Sequence, residues 1–494
     1  MVQVSGSLGA HVVAFPFPMQ GHINPFVFFS KRLAECGIAI TFITTTPHLA
    51  STRRGLLEDE SFKAHGNIEV ICFDIPMRFA KLNYQSFVEL KHVANNMGDR
   101  LTELMKRLMA SNATIIDPSS SSCFGPPVCI ISDMYLSWTQ DIANDFKVPR
   151  YCLYPSPTPF LSLMYNLPKF DAEGLTPLPS DAKPLEIPNF PPLAYSLMPR
   201  SFKVDEDVFP YEFQLYQAKR LREAAGVLVN SVYELEHEII TGLQNSFAGG
   251  LEHDQVSKIL TIGPLLDESG LRKQPPGEKQ EAEEEDNECL RWLTKKLRSS
   301  VLYICFGTVF VFPTQQLHEL AAGLESSGVH FLWVVRIPTG EDIATFLPDG
   351  FLERTKDRGL VYLSWAPQAR ILGHPAIGGF LTHCGWNSIC ESMVTGVPMI
   401  TWPLEGDQML NSQLCVEILK IAITVPKKLN EIVGQEEIER VVRLLMEDTV
   451  GDVLRKKAEE VSQITQSTFL PGASSRKNLD LFVKELNSLT LISK

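Results

Sequence analysis

Apolar residues in this chain fall into short runs separated by helix-spaced stretches, and the alternation repeats through most of the length. The runs Val12 to Phe15, Ile38 to Thr44, Ile68 to Phe73, Val128 to Ser132 and Tyr151 to Tyr154 are short and bounded by turn residues, which predicts buried strands. Between them, Pro25 to Glu35 and Phe87 to Met109 carry apolar residues at helical spacing, with Gly37 placed as a helix-ending glycine. Another helix is expected after Asp133, through Phe146. Strands alternating with helices predict a parallel, doubly wound sheet with right-handed crossovers. From Pro155 to Pro210 the pattern breaks. Prolines and scattered aromatics there predict loops and short helices, which either line a cavity or merely pack as loops. Helical spacing resumes over Tyr211 to Ala225, and a strand is expected at Gly226 to Asn230.

The run Ile259 to Pro264 reads as the start of a second unit of the same kind, with strands expected at Val301 to Phe306, Val329 to Val335, Ile377 to Thr382 and Val397 to Trp402. The expected division is a Rossmann-like domain over residues 1–255 and a second over 256–472, the latter with a mobile acidic stretch at 267–288. A C-terminal helix over 473–494 is expected to pack back on the first domain. Ligands of such sheets bind at the carboxyl ends of the strands, so two facing units would share one cleft.

Composition narrows the partners. A net charge of −13 argues against nucleic acid and anionic membrane surfaces. No apolar run is long enough to span a bilayer, and the N-terminus lacks a basic region with a small-residue cleavage site, so a cytoplasmic protein is expected. The ten cysteines are scattered without a CxxC pair, which predicts reduced core thiols rather than a disulfide framework or a zinc site.

Two places carry chemistry. In PFPMQGHINP, His22 follows the first strand, and Asp133 ends the strand VCIIS; in a parallel sheet both lie on one edge. Asp141 and Asp145 compete with Asp133 but fall further into the next helix. The second place is Trp365 to Gln408, WAPQARILGHPAIGGFLTHCGWNSICESMVTGVPMITWPLEGDQ. It reads as strand, turn, helix from Ser388 to Val394, and strand. A helix that starts just after a strand aims backbone N–H groups and a positive dipole end outward, which suits phosphate. Gly385 permits close approach, His383, Asn387 and Ser388 add donors, and Glu391 could meet a ribose diol. The plainer alternative is that Asn387 and Ser388 only cap the helix. No DxD or carboxylate pair sits at this turn, so no metal is expected.

The stretch resembles the signature box of plant UDP-dependent glycosyltransferases. Trp365, Gln368, His374, the run GGFLTHCGWNS, Glu391, Gly396-Val397-Pro398, Trp402-Pro403 and Asp407-Gln408 all fall at family spacing, and QGHxNP matches the family's N-terminal segment. The resemblance implies the GT-B fold: two facing Rossmann-like doubly wound domains with the active site in the interdomain cleft. It implies an inverting transfer of glucose from UDP-glucose to a hydroxyl of an apolar small molecule (a flavonoid, another phenolic or a terpenoid), with no cofactor beyond that donor. His22 would be the base and Asp133 its orienting partner. Trp365 would stack on uracil beside Ala366, Gln368 and Glu391 would hold ribose, and Asp407 and Gln408 would hold sugar hydroxyls. His383, Gly385, Trp386, Asn387, Ser388 and Thr308 would complete the donor site. Met19, Phe87, Tyr154, Phe160, Phe190, Met198 and Glu405 are the candidates for the acceptor pocket, and Glu405 and Cys390 depart from the usual pattern. A monomer is expected, with no nucleic acid or membrane partner. Two other readings remain: the same fold using another UDP-sugar, and a nucleotide-sugar-binding protein without catalysis. A Rossmann oxidoreductase is disfavoured because no GxGxxG follows the first strand.

Overall fold

The computed structural model describes residues 9–58, 66–75, 84–110, 124–204, 211–248, 258–266, 287–307, 312–335, 337, 342–426 and 431–492. The chain divides into two compact units. The first comprises Met1–Pro192, Arg200–Leu266 and Thr468–Lys494, the second Leu193–Pro199 and Asp267–Ser467.

The first unit is built on a parallel sheet of order β3-β2-β1-β4-β5-β6-β7. Its strands are β1 (His11–Phe15), β2 (Ala39–Thr45), β3 (Ile68–Phe73), β4 (Cys129–Asp133), β5 (Arg150–Tyr154), β6 (Gly226–Val229) and β7 (Lys258–Thr261). The central strands read as continuous apolar runs because helices cover both faces of a parallel sheet. In β1, Val12 and Ala14 pack on one face with Phe26, Phe29 and Phe42. Val13 and Phe15 pack on the other with Met97, Leu101 and Met105. Register sets the site: β1 lies beside β4 with Phe15 opposite Ser132, so the chain leaving β1 and Asp133 emerge together.

Three expectations are corrected here. The strand at Lys258–Thr261 does not open the second unit; it pairs with β6, Val227 opposite Ile259, and closes the first sheet. The boundary therefore falls at Leu266 and Asp267, not at 255. Periodicity finds a strand but cannot say which sheet an edge strand joins. The proline-rich region is also more regular than its composition implies, because Thr158–Ala172 is one helix with eleven buried residues. Pro159 lies in its first turn, where the missing N–H has no helical partner to lose. Finally, the first helix runs Gln20–Glu35 and begins before Pro25, so His22 stands in its first turn rather than in a loop.

The C-terminal helix Ser474–Ile492 places Leu479, Phe482 and Leu486 in the first unit's core. Of the acidic stretch, residues 267–286 lie outside the described residues. Asn287 caps the helix Glu288–Leu293 through its side-chain oxygen.

The second unit holds a parallel sheet of order β10-β9-β8-β11-β12-β13. Its strands are β8 (Val301–Cys305), β9 (His330–Val334), β10 (Gly359–Tyr362), β11 (Ile377–Thr382), β12 (Met399–Thr401) and β13 (Ala422–Thr424). Thr382 lies opposite both Cys305 and Thr401, which brings the ends of β8, β11 and β12 to one edge. Among the described residues no helix is long and apolar enough to cross a membrane.

Candidate active site

His22 and Asp133 meet. Nδ1 of His22 is 2.8 Å from Oδ2 of Asp133, and the carboxylate side chain is fully buried while the imidazole keeps 16% of its surface exposed. An ionised carboxylate only accepts, so Nδ1 carries the proton and Nε2 is the basic nitrogen. The other carboxylate oxygen accepts the Tyr135 N–H at 2.9 Å, which fixes the carboxyl plane. Phe17 and Tyr135 flank the imidazole, with ring centroids 5.4 and 5.5 Å away. The competing carboxylates go elsewhere: Asp141 is 62% exposed and paired with Arg220, and Asp145 is exposed.

In the second unit β11 ends in the turn that carries His383. The following helix is Trp386–Thr395, two residues longer at its start than expected, so Asn387 and Ser388 lie within its first turn. Gly385 occupies the cap position and offers no side chain to it. The turn is tight. Cys384 adopts φ of +67°, a conformation that costs a non-glycine residue energy. Two glycines press on His383. A Cβ on Gly385 would come within 2.5 Å of its Nε2, and one on Gly307, at φ of +74°, within 2.6 Å. Burial pushes the His383 pKa down to about 4, against a backbone hydrogen bond at Cys305 that pulls it up. The imidazole is therefore neutral at pH 7 and carries a single ring N–H.

Gln368, the first residue of the helix Gln368–Gly373, is the hub of a hydrogen-bond network. Its amide nitrogen donates to Ser388 Oγ at 2.8 Å and to Glu391 Oε2 at 2.5 Å. Its oxygen accepts from the Tyr303 hydroxyl at 3.2 Å. Burial pushes the Glu391 pKa up to about 7, and the Gln368 bond holds it from rising further. The carboxyl is withdrawn from solvent although the residue keeps partial exposure. Trp365 is 65% exposed, a large indole face open to solvent, and Ala366 beside it is buried.

Asp407 and Gln408 begin the helix Gln408–Gln413. Asn411 Nδ2 bridges Asp407 Oδ2, at 3.1 Å, and the Cys384 carbonyl, at 3.0 Å, tying this loop to the turn at His383. The Gln408 amide is tied to its own loop at one end. Its Oε1 accepts the N–H groups of Leu404 and Glu405, at 2.8 and 3.0 Å, so the loop already uses it.

Of the acceptor candidates, Met19 is the half-buried cap of the His22 helix. Tyr154 and Phe160 pack together at 6.3 Å between centroids as core. Phe190 and Met198 are buried as well, and Met198 belongs with Leu193–Pro199 to the second unit. Glu405 is half-buried, its carboxylate accepting the Gly406 N–H at 3.2 Å. Thr308 and the side chain of Phe87 lie outside the described residues. Phe17, Tyr303, Asn411 and Arg150 escaped the sequence reading. For Phe17, Tyr303 and Arg150 the only sequence signal was a polar or aromatic residue in or beside an apolar strand, while Asn411 lies within the helix Gln408–Gln413. Among the described residues no group of three or more His, Cys, Asp or Glu is placed to hold a metal.

A base dyad at one sheet edge and a phosphate-suited turn at another are what group transfer from a nucleotide donor would need. Residues 282–462 match the family model for UDP-glucoronosyl and UDP-glucosyl transferase, and residues 9–80 match that for the glycosyltransferase N-terminal domain. UDP-glycosyltransferase 72B1 of Arabidopsis thaliana is 34% identical over 487 residues, 95% of each chain. A UDP-glucosyltransferase from Polygonum tinctorium capable of glucosylating indoxyl, in complex with 3,4-dichloroaniline, matches with a TM-score of 0.82 at 29% identity, over 97% of this chain and 99% of that one. Phytolacca americana UGT2, complexed with UDP-2fluoro-glucose and pterostilbene, matches with a TM-score of 0.79 at 29% identity over the same shares. The chain belongs to the plant UDP-glycosyltransferase family. It is an enzyme of the GT-B fold that transfers a sugar from a UDP-sugar to small molecules.

Proposed function

We propose that the enzyme transfers glucose from UDP-glucose, with inversion, to a hydroxyl of an apolar aromatic or terpenoid acceptor. The observation that carries the reading is the 2.8 Å pairing of His22 with a fully buried Asp133. A buried carboxylate on Nδ1 orients the ring and stabilises the imidazolium as it forms. His22 Nε2 takes the acceptor proton as the new oxygen–carbon bond forms at the anomeric centre. The bond to the diphosphate breaks, and UDP leaves with an added negative charge. Donors aimed at that charge lower the barrier more than donors to the neutral sugar. His383, Asn387, Ser388 and the helix start at Gly385 supply them in this reading. Phe17 and Tyr135 beside the imidazole favour an aromatic acceptor. The ligands carried by the Phytolacca and Polygonum proteins, a fluorinated glucose donor, a stilbene and an aniline, lean the same way.

His22→Ala tests the reading. Turnover on an unactivated hydroxyl should fall by about 10²–10⁴-fold while UDP affinity stays near wild type. Wild-type turnover would remove His22 from the mechanism. Donor choice is tested separately. Inverting one sugar hydroxyl leaves a buried group unpaired, at about 1–3 kcal/mol. UDP-glucose should therefore be used about ten- to a hundredfold faster than UDP-galactose, and equal rates would favour the reading with another UDP-sugar.

A further inference from the structure

The first unit buries an arginine where its apolar neighbours would suggest an aliphatic side chain. Arg150 opens β5, in the run RYCLY, and is 0% exposed. Its Nε donates to Ser132 Oγ at 2.7 Å and to Thr139 Oγ1 at 3.1 Å, and its Nη2 to the main-chain oxygen of Asp133 at 3.4 Å. Its Nη1 is buried without a hydrogen-bond partner among the described residues. All three acceptors are neutral, yet a guanidinium stays charged in proteins. A buried charge without a counter-charge is strongly unfavourable. The ionisable groups that act on it are Cys152, Arg220, Asp133 and Glu223. Glu223 is 46% exposed and lies 3.4 Å from Arg220, which also holds Asp141. Asp133 alone among these carboxylates is fully buried. Tyr135 is the other titratable group against His22, and its N–H already holds Asp133.

We infer that Arg150 is a positioning residue of the transfer reaction: its fork clamps the Ser132–Thr139 segment that carries Asp133, and its buried charge lies behind the carboxylate that orients His22. This rests on the dyad reading of the previous subsection. The clamp is continuous, because Thr139 Oγ1 also lies 2.8 Å from Ser132 Oγ and 2.6 Å from the Leu136 carbonyl, either of which can take its one proton. The Ser132–Thr139 segment is thereby held at both ends. The charge has a further effect. A nearby cation disfavours a second positive charge, so loss of Arg150 is expected to act on the imidazolium form of His22.

The test compares Arg150→Met, Arg150→Lys, Thr139→Val and His22→Ala on kcat, KM for UDP-glucose and the acid limb of kcat/KM. In Arg150→Met, kcat should fall about tenfold or more with KM for the donor unchanged. Its acid limb should move to higher pH by about one unit, because loss of the cation lets His22 protonate more readily. Arg150→Lys keeps the charge and should keep the limb in place while losing part of kcat. In the His22→Ala background, Arg150→Met should cost nothing further, since the two act as one unit. A folded Arg150→Met with wild-type kcat and acid limb would overturn the inference while leaving the dyad intact. Wild-type turnover by His22→Ala would instead overturn the dyad reading. If Arg150→Met does not fold, the other variants decide. Thr139→Val should lower kcat with the limb fixed, and wild-type kcat in both it and Arg150→Lys would overturn the clamp.

Discussion

Glu391 shows how one side chain can work against the stability of its own fold. Its carboxyl is pushed up to about 7 by burial, from an ordinary value of 4.5. Between those values the folded chain holds a proton that the unfolded chain has released. The favourable contribution is therefore complete below about pH 4.5 and is lost as pH rises through 7. The loss is at most about 3 kcal/mol. Glu391→Gln should flatten the fall in melting temperature between pH 5 and 8, and it should also weaken UDP binding. An unchanged slope would mean that the wild-type carboxyl is solvated. Gln408 makes a second case, since its oxygen serves the loop and only its amide N–H₂ remains for a sugar. Gln408→Glu keeps the acceptor and removes the donor. We expect normal folding and a transfer rate from UDP-glucose reduced about tenfold, the scale of one lost hydrogen bond. A wild-type rate would make Gln408 a loop cap alone. His22, Asp133 and the stretch Trp365 to Gln408 could be singled out in the sequence because each sits in a local strand, turn and helix pattern that resembles a family motif. Arg150, Tyr303 and Asn411 were not, because each matters through a neighbour reached across the sheet or between loops.

The turn between β11 and the helix Trp386–Thr395 works as one element with the end of β8. His383 is held between Gly307 and Gly385 with no room for a methyl on either side. Gly385→Ala should therefore displace the imidazole without harming the helix, because the backbone there is extended, at φ −61° and ψ 136°. UDP affinity, read by titration calorimetry, should drop at least about tenfold with an unchanged circular dichroism spectrum. Retained affinity would show that His383 is not a phosphate donor. The elements themselves were largely readable. Strands were recognised because a doubly covered parallel sheet demands unbroken apolar runs. The full length of the helix Thr158–Ala172 is not legible from pattern, because proline signals a break, although Pro159 sits where a helix start tolerates it.

At the scale of the whole molecule, the chain leaves its first unit after Leu266 and returns to it at Thr468. The return is well fastened. The guanidinium of Arg32 lies 3.4 Å from the Phe469 ring centroid, and Ser475 Oγ donates to the Gly263 carbonyl at 2.6 Å. Phe482 packs edge-on to Tyr151, with centroids 4.9 Å apart, and against Phe29 at 6.0 Å. Glu485 accepts a hydrogen bond from the Tyr151 hydroxyl at 2.6 Å and pairs with Lys258 at 3.0 Å. Phe482→Ala should cost the first unit about 3–5 kcal/mol in urea unfolding while UDP binding by the second unit survives. Periodicity predicts the helix but not the sheet that β7 joins, because the partner of an edge strand is written in no local pattern. The returning helix also sets an order in time. On the ribosome β1 to β7 emerge first, yet the residues that close over Phe29 and Tyr151 come only after Asp267–Ser467 has been made. At ordinary synthesis speed that delay is on the order of tens of seconds. Until then the newborn sheet carries an uncovered aromatic face, which makes the nascent chain, rather than the finished enzyme, the form that most needs a chaperone.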